Sequence, residues 1–371
     1  MPPRRKRRNA AMRAARPPTP RGAGRAPERA APKPAAEPLY LFLTEPGLAA
    51  LATAELKHLK MIERRARPQR LFTRSHDVLV LPGHLAHVAQ ARSRICTNVL
   101  AAPIFGRGEI TPRAFDRLAA LMRESKGRRI VSTVAGAAFD RPSQMRRIER
   151  ELERRGVSLA DAGRAVWLIV VDQAFYFGVE RQNHHDAPGR SASAARSGAL
   201  PPTVAAAMAF AAKLGAGERV WDATAGTGNL LAEVLALSPD AQVMATDTDA
   251  AAVRELERRL HAAPKPWIRR ADAAEVGLPL APTLTIANLP FGKRYEAAGG
   301  NAALYAAVLA NALRQAAPAW RGIFLASDAA AMRDAARANG LALSEVAQIK
   351  LRGLPATIWR AERGASDVAF S

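Results

Sequence analysis

The sequence has a single cysteine, few acidic residues and no long apolar run. Cys96 is the only cysteine among 371 residues, so the chain can form neither an internal disulfide nor a metal-binding cysteine pair. A single cysteine is typical of an intracellular protein, and we expect a cytoplasmic location and no bound metal. No apolar stretch approaches the roughly 18 residues that cross a bilayer. The arginine-rich start also lacks the apolar core of a secretory signal, so no membrane partner is expected.

The shortage of acidic residues leaves a strong positive charge. Lys and Arg number 55 against 33 Asp and Glu, a net charge of +22. Residues 1–38 hold eleven of these cations against Glu28 and Glu37, together with nine prolines, and we expect a disordered basic tail there. The rest of the chain is basic as well. This excess favours a polyanionic partner, because each bound phosphate releases counterions, although a merely solvated basic surface is the alternative.

Two small mixed regions are expected to follow the tail. Residues 39–108 combine short apolar strands with an amphipathic helix. Residues 109–182 contain a helix, a strand, a charged helix and two strands joined by a hairpin at Asp172-Gln173. The polar segment 183–198 is typical of a linker. The sequence therefore predicts an α+β N-terminal half.

Residues 199–371 change to an alternation of strands and helices. Their rhythm predicts a doubly wound α/β domain with a largely parallel sheet and helices on both faces. The end departs from that rhythm, because strands at 346–351 and 356–360 are separated by only four residues. Four residues cannot make a crossover, so the last pair must be antiparallel.

A glycine-rich turn lies between the first strand and the first helix of this domain. It reads Asp222-Ala223-Thr224-Ala225-Gly226-Thr227-Gly228-Asn229. The two glycines allow the backbone to approach a ligand, and the helix N-terminus offers unpaired N–H groups. Leu231 stands where a dinucleotide-binding turn has its third glycine, which disfavours a nicotinamide cofactor. An acidic residue before the turn suits a ligand with a cationic group.

Two further carboxylates follow the next two strands. Asp247 lies 19 residues beyond Gly228, close to the spacing of a carboxylate that accepts both hydroxyls of a ribose. Asp272 could hold an adenine amino group, although a helix N-cap is an equal alternative.

The fourth strand is followed by Asn288-Leu289-Pro290-Phe291. Doubly wound sheets bind ligands at this carboxyl edge. Phe291 can stack on a flat base, while the Asn288 side-chain oxygen and the Leu289 carbonyl can accept both hydrogens of an exocyclic amine. Those bonds would free the nitrogen lone pair for attack on a methyl sulfonium. A proline-containing loop with a buried phenylalanine is the structural alternative.

The C-terminal half resembles the class I S-adenosylmethionine-dependent methyltransferases. Residues 288–291 resemble their Asn/Asp-Pro-Pro-Tyr/Phe motif, and Leu289 with Gly292-Lys293-Arg294 is similar to the variant in THUMP-domain RNA guanine-N2 methyltransferases. Residues 197–203 are similar to the segment that precedes the first strand in that family. Residues 39–182 are similar to its ferredoxin-like region and THUMP domain. Ala223 and Ala225 depart from the Pro and Cys common in the family's first motif.

The resemblance implies S-adenosylmethionine as cofactor and a Rossmann-like catalytic domain. It implies Asp222 at the methionine amino group, Asp247 at the ribose and Asp272 at the adenine. The expected cofactor-binding set is Asp222, Ala223, Thr224, Gly226, Gly228, Asn229, Asp247, Asp272, Asn288 and Pro201. The expected catalytic set is Asn288, Leu289, Pro290 and Phe291. Lys293, Arg294, Arg190 and Arg196 are candidate RNA contacts, with ordinary solvated basic residues as the alternative.

The implied reaction is formation of N2-methylguanosine, with transfer RNA as the expected partner. Ribosomal RNA is a first alternative. Adenine-N6 methylation of DNA or RNA is a second, because the same motif type serves both amines. A non-catalytic RNA-binding factor with a vestigial pocket is the alternative from another class, and the intact Gly226, Gly228, Asp247 and Asn288 argue against it.

Overall fold

The computed structural model describes residues 38–73, 75–83, 93–135, 140–183, 199–261, 263–291, 300–351 and 353–364. Within these ranges the strands are β1 Leu39–Thr44, β2 Gln69–Phe72, β3 Asp77–Pro82, β4 Cys96–Arg107, β5 Gly127–Ala135, β6 Arg164–Val171, β7 Ala174–Asn183, β8 Arg219–Asp222, β9 Gln242–Asp247, β10 Trp267–Arg270, β11 Leu284–Asn288, β12 Arg321–Ala326, β13 Leu341–Leu351 and β14 Leu354–Arg363. The helices there are α1 Ala49–His58, α2 Pro112–Ser125, α3 Arg141–Glu153, α4 Pro202–Ala211, α5 Asn229–Leu237, α6 Ala250–Arg259, α7 Gly300–Gln315 and α8 Ala329–Ala338.

The described N-terminal strands form one curled sheet. Their order is β2-β3-β1-β4-β7-β6-β5, so strands from 39–108 and from 109–182 share it. The curl is visible at its edges: the Thr73 hydroxyl after β2 lies 2.8 Å from the Thr133 hydroxyl of β5, at the opposite end of the strand order. Helices α2 and α3 cover one face, and the other face closes on an interior of strand side chains.

The C-terminal sheet confirms the predicted doubly wound fold. Its order is β10-β9-β8-β11-β12-β14-β13, with parallel pairing from β10 to β12 and antiparallel pairing of β14 with both neighbours. Alternation along each strand supplies two cores, because successive side chains point to opposite faces. Val220 packs with α4 and α5 on one face, whereas Trp221 packs with α7 and α8 on the other. The antiparallel pairing of β13 with β14 confirms the prediction made from the short connection between these two strands.

The two sheets are joined by a continuous core. Leu56 of α1 and Val204 of α4 belong to one buried cluster, so α1 packs on the C-terminal half. An ion pair links the same surfaces, with 2.5 Å between Arg94 Nε and Glu233 Oε2 and both side chains nearly buried. Among the described residues, no helix is long and apolar enough to cross a membrane.

Candidate active site

The strand order places four polar side chains along one edge of the C-terminal sheet. Asp272, Asp247, Asp222 and Asn288 follow or end β10, β9, β8 and β11, which are consecutive neighbours. All four strands are parallel, so these residues meet at the carboxyl edge. Three strand spacings of about 4.8 Å make this row about 14 Å long. The edge can therefore hold an elongated ligand with separate polar groups.

Asp222 is a buried carboxylate with one unused oxygen. Its exposed fraction is 1%, and its Oδ1 accepts a hydrogen bond of 3.2 Å from the Thr224 N–H. Its Oδ2 is buried and has no hydrogen-bond partner among the described residues. Burial, with a further contribution from the charge of Asp247, raises the pKa of Asp222 to about 8. A ligand ammonium at Oδ2 would satisfy this oxygen and favour its ionised form.

The glycine-rich turn depends on the missing side chains of its two glycines. Gly226 and Gly228 have φ of 53° and 82°, in the left-handed region that favours glycine. A Cβ on Gly228 would lie 2.5 Å from Leu256 Cδ1, so this glycine permits the close packing of α5 on α6. A Cβ on Gly226 would meet nothing within 4 Å, so its backbone borders open space. Leu231, at the third-glycine position, is buried in the core.

Asp247 is oriented before any ligand arrives. Its Oδ2 accepts a bond of 2.8 Å from the Gly226 N–H, and its Oδ1 accepts one of 2.9 Å from the Asp249 N–H. Each carboxylate oxygen has further acceptor capacity, so both can still receive a ribose hydroxyl. The carboxylate is thereby fixed beside the turn where backbone is accessible.

Asp272 begins a loop that α7 holds in place. It is exposed, and its Oδ1 accepts a hydrogen bond of 2.8 Å from the Ala274 N–H. The residues after it form a turn and not a helix, so Asp272 caps a turn and the helix N-cap alternative is wrong. The Asn311 amide of α7 donates to the carbonyls of Ala273 and Val276 at 2.8 and 3.0 Å. The turn therefore engages one carboxylate oxygen and leaves the other for a ligand.

The loop after β11 is held at three backbone positions. The Asn288 carbonyl accepts from the Thr224 hydroxyl at 3.0 Å, and the Leu289 N–H donates to the Leu325 carbonyl at 2.9 Å. The Pro290 carbonyl accepts from the Tyr305 hydroxyl at 2.9 Å. Because each of these three residues is bound through its backbone, residues 288–290 form a fixed platform at the sheet edge.

Two acceptors on that platform are unpaired within the described residues. The Asn288 Oδ1 is buried and has no hydrogen-bond partner among the described residues. The Leu289 carbonyl likewise accepts no hydrogen bond there, while the Leu289 side chain is buried and anchors the loop. Phe291 is partly exposed and packs on the core below it. This segment thus combines two acceptors that are unpaired within the described residues with a partly exposed aromatic ring.

Some predicted site residues have other contacts. The Asn229 amide donates to the Leu200 carbonyl at 2.7 Å and accepts from Arg259, so its side chain joins α5 to neighbouring segments instead of facing open space. Ala223 is buried, and its N–H donates to the Ile286 carbonyl. The Pro201 carbonyl accepts from the first turn of α4. Arg190, Arg196, Lys293 and Arg294 lie outside the described residues, as do 1–37 of the predicted tail and most of the linker.

Tyr305 is a functional candidate that sequence reasoning missed. Its side chain is fully buried in α7, and its hydroxyl supports the loop from below. Burial, together with the nearby charge of Asp328, raises its pKa to about 12, so it stays protonated and can donate. No sequence signal marks it, because its contact with Pro290 depends on how α7 packs.

One family model matches the C-terminal half of the chain. Residues 190–356 match the family UPF0020, described as RMKL-like, methyltransferase domain. Searching the curated protein sequences gives no match.

Solved structures share the architecture of nearly the whole chain. TrmN from Thermus thermophilus aligns with a TM-score of 0.70 and 21% identity, covering 88% of this chain and 99% of its own. A predicted N6-adenine-specific DNA methylase from Listeria monocytogenes str. 4b F2365 aligns with a TM-score of 0.64 and 13% identity, covering 88% and 96%. The candidate methyltransferase SMU.472, complexed with SAH, gives 0.64 and 12%, covering 89% and 98%. At these identities the likeness concerns the fold.

Proposed function

We propose that this chain, whose residues 190–356 match the UPF0020 methyltransferase-domain family, uses S-adenosylmethionine to methylate the exocyclic N2 amine of a guanosine in RNA. Transfer RNA is the substrate class that we favour. The charge of +22 supports a nucleic-acid substrate, because phosphate binding needs a basic surface. The target nucleotide would have to leave any helix to reach the sheet edge.

The main support for this proposal is the two unpaired acceptors at the end of β11. An exocyclic amine has two hydrogens, and the Asn288 Oδ1 and the Leu289 carbonyl can accept one each. Holding both hydrogens draws the nitrogen lone pair out of conjugation with the ring and makes it nucleophilic. Phe291 can stack on the base and fix its plane.

The residues of the row fit the cofactor. The unused Asp222 Oδ2 suits the methionine ammonium, Asp247 suits the ribose hydroxyls, and the free oxygen of Asp272 suits the adenine amino group. When bound, S-adenosylmethionine supplies a sulfonium methyl group that passes to the nitrogen as its carbon–sulfur bond breaks. The proton displaced from the amine can then pass to water, so the platform needs no strong base.

The proposal also specifies which base is methylated. Guanine N2 and adenine N6 are both exocyclic amines beside a ring nitrogen, and both fit two acceptors. We favour guanine because Asn288-Leu289-Pro290-Phe291 followed by Gly292-Lys293-Arg294 resembles the motif of RNA guanine-N2 methyltransferases. Adenine-N6 methylation is therefore an explicit outcome of the test.

The test is transfer of a labelled methyl group to purified nucleic acids. The whole protein is incubated with S-adenosylmethionine carrying a deuterated methyl group and, separately, with unmodified transfer RNA, ribosomal RNA or DNA. Nucleosides from each digest are then identified by mass spectrometry. We expect deuterated N2-methylguanosine from transfer RNA, and none with Asn288→Ala. Deuterated N6-methyladenosine instead would refute the guanine assignment, and product only from ribosomal RNA would refute the choice of transfer RNA.

A further inference from the structure

The curled N-terminal sheet has a cavity at one end of its interior. The cavity has a volume of about 300 Å³. It is lined by Leu39, Arg67, Gln69, Val80, Pro82, Phe105, Gly106, Arg107, Ala174 and Tyr176. These residues come from β1, β2, β3, β4 and β7 and from the segment before β2, so the walls are mostly sheet. They lie outside the row of residues that would bind cofactor and target base.

An exposed aromatic ring forms part of the wall. Phe105 is 59% exposed although it lies within β4. Its ring is stacked on buried Tyr176 of β7, with 6.4 Å between centroids and 21° between planes. A Cβ on Gly106 would lie 2.4 Å from the Phe175 ring, so this residue faces the opposite side of the sheet. By alternation Phe105 and Arg107 then share the cavity side.

The same wall is positively charged. Arg67 and Arg107 both line the cavity, and none of its lining residues is acidic. Neither guanidinium has a hydrogen bond or an ion pair with a described residue, in contrast to Arg147 of α3, which pairs with Glu109. The pKa of Tyr176 reflects this setting, because burial raises it while the positive charge of Arg107 acts in the opposite direction. Arginines without an acidic partner next to an exposed ring suit a ligand that is both aromatic and anionic.

We propose that this cavity binds one unpaired nucleotide of the RNA substrate, with its base against Phe105 and its phosphate held by Arg67 and Arg107. The inference rests on the proposed function only in taking RNA as the substrate. Gln69 supplies an amide donor and acceptor for the edge of the base. A base within a duplex is stacked between its neighbours and cannot present its face to a protein ring, so the site selects single-stranded RNA.

The test compares matched variants of the whole protein. Phe105→Ala removes the exposed ring, and Phe72→Ala is its control, because Phe72 is also 59% exposed and does not line the cavity. Arg67→Gln and Arg107→Gln remove one cation each, with exposed Arg254→Gln of α6 as their control. Affinity for a labelled single-stranded RNA oligonucleotide, a blunt RNA duplex and uridine monophosphate is measured over a range of salt concentrations. S-adenosylmethionine affinity reports the fold of each variant.

A stacked base contributes about 1–3 kcal/mol, so Phe105→Ala should weaken single-strand binding roughly 5- to 140-fold. Duplex binding should change less than twofold, and Phe72→Ala should behave as the parent. Each cavity arginine variant should lower the slope of log affinity against log salt by about 0.7, the single-strand value for one phosphate. Equal effects of Phe105→Ala and Phe72→Ala would overturn the proposal. The proposal would also fail if Phe105→Ala weakened the binding of uridine monophosphate and left the binding of single-stranded RNA unchanged.

The two proposals can fail separately. Phe105-dependent RNA binding without formation of N2-methylguanosine would leave the nucleotide site standing and refute the proposed reaction. The opposite result is also possible: the protein forms N2-methylguanosine, but substitution of Phe105, Arg67 or Arg107 leaves its RNA affinity unchanged. That result would support the reaction and refute the nucleotide site.

Discussion

Replacing Asp222 with asparagine should abolish the release of a proton when the cofactor binds. The pKa of Asp222 is raised to about 8 by burial, so only about one tenth of the molecules carry the ionised carboxylate at pH 7. An ammonium at the unused Oδ2 selects that ionised form. Binding at pH 7 should therefore release about 0.9 proton from this group.

The same equilibrium sets a pH dependence of affinity. Only the protein with an ionised Asp222 binds the ammonium, so the apparent affinity is the intrinsic affinity multiplied by the ionised fraction. For a pKa of about 8, this fraction rises about ninefold between pH 6 and pH 7. Because the free protein holds the proton and the bound protein does not, affinity must increase with pH in this window. The increase should slow as the pH passes about 8, where half of the free protein carries the ionised carboxylate, and should end once Asp222 is fully ionised.

Calorimetry with S-adenosylhomocysteine measures both effects, since this product has the same ammonium and cannot react. Titrations at pH 7 in two buffers with different ionisation enthalpies give the number of protons released. Asp222→Asn should release none and bind with little pH dependence, whereas Asp272→Asn, at an exposed site, should keep the proton release. If the parent releases no proton and its affinity is flat from pH 6 to 7, Asp222 does not pair with the ammonium.

Three further substitutions test other parts of the site. Asp247→Ala should weaken cofactor binding tenfold or more, because hydrogen bonds to a charged group contribute about 1.5–3 kcal/mol; calorimetry showing unchanged affinity would remove Asp247 from the site. Tyr305→Phe should lower kcat about 2- to 10-fold while cofactor affinity stays within twofold, since the hydroxyl's hydrogen bond to the Pro290 carbonyl is lost. An unchanged kcat would show that the reaction does not need this bond. Gly228→Ala should lower the melting temperature more than Gly217→Ala. Both glycines have positive φ, but only Gly228 would place a Cβ against Leu256, so equal shifts would contradict the packing argument.

The catalytic half was predictable because its signals are local. Short apolar strands, each followed by a carboxylate or an amide, fix which residues meet at the sheet edge once the strands are parallel. Asp222, Asp247 and Asn288 could therefore be found from sequence. The antiparallel last pair followed in the same way, from a connection too short for a crossover.

Other elements gave no clear pattern. Strand β4 is buried on both faces over most of its length, so it lacks the alternation that predicts a half-exposed strand. Helix α4 is buried nearly all round and has no polar face. The contacts of Tyr305 and Asn311 depend on which side of α7 packs against the site loops, and sequence spacing does not contain that information. The open acceptors also required a structure, because only the full set of hydrogen bonds reveals which oxygens are unused.

Methyl transfer by Asn288→Ala tests the central claim most directly. The reaction is followed in a single turnover, with the labelled RNA substrate and the cofactor both bound, and calorimetry verifies that the variant still binds S-adenosylhomocysteine. Removing one preorganised polar contact at a reacting centre lowers the rate by about 10²–10³-fold, and we expect a loss of that size with cofactor affinity unchanged. Transfer to guanosine at the parent rate would contradict the account, because the amine would then react without the acceptor that the loop after β11 provides.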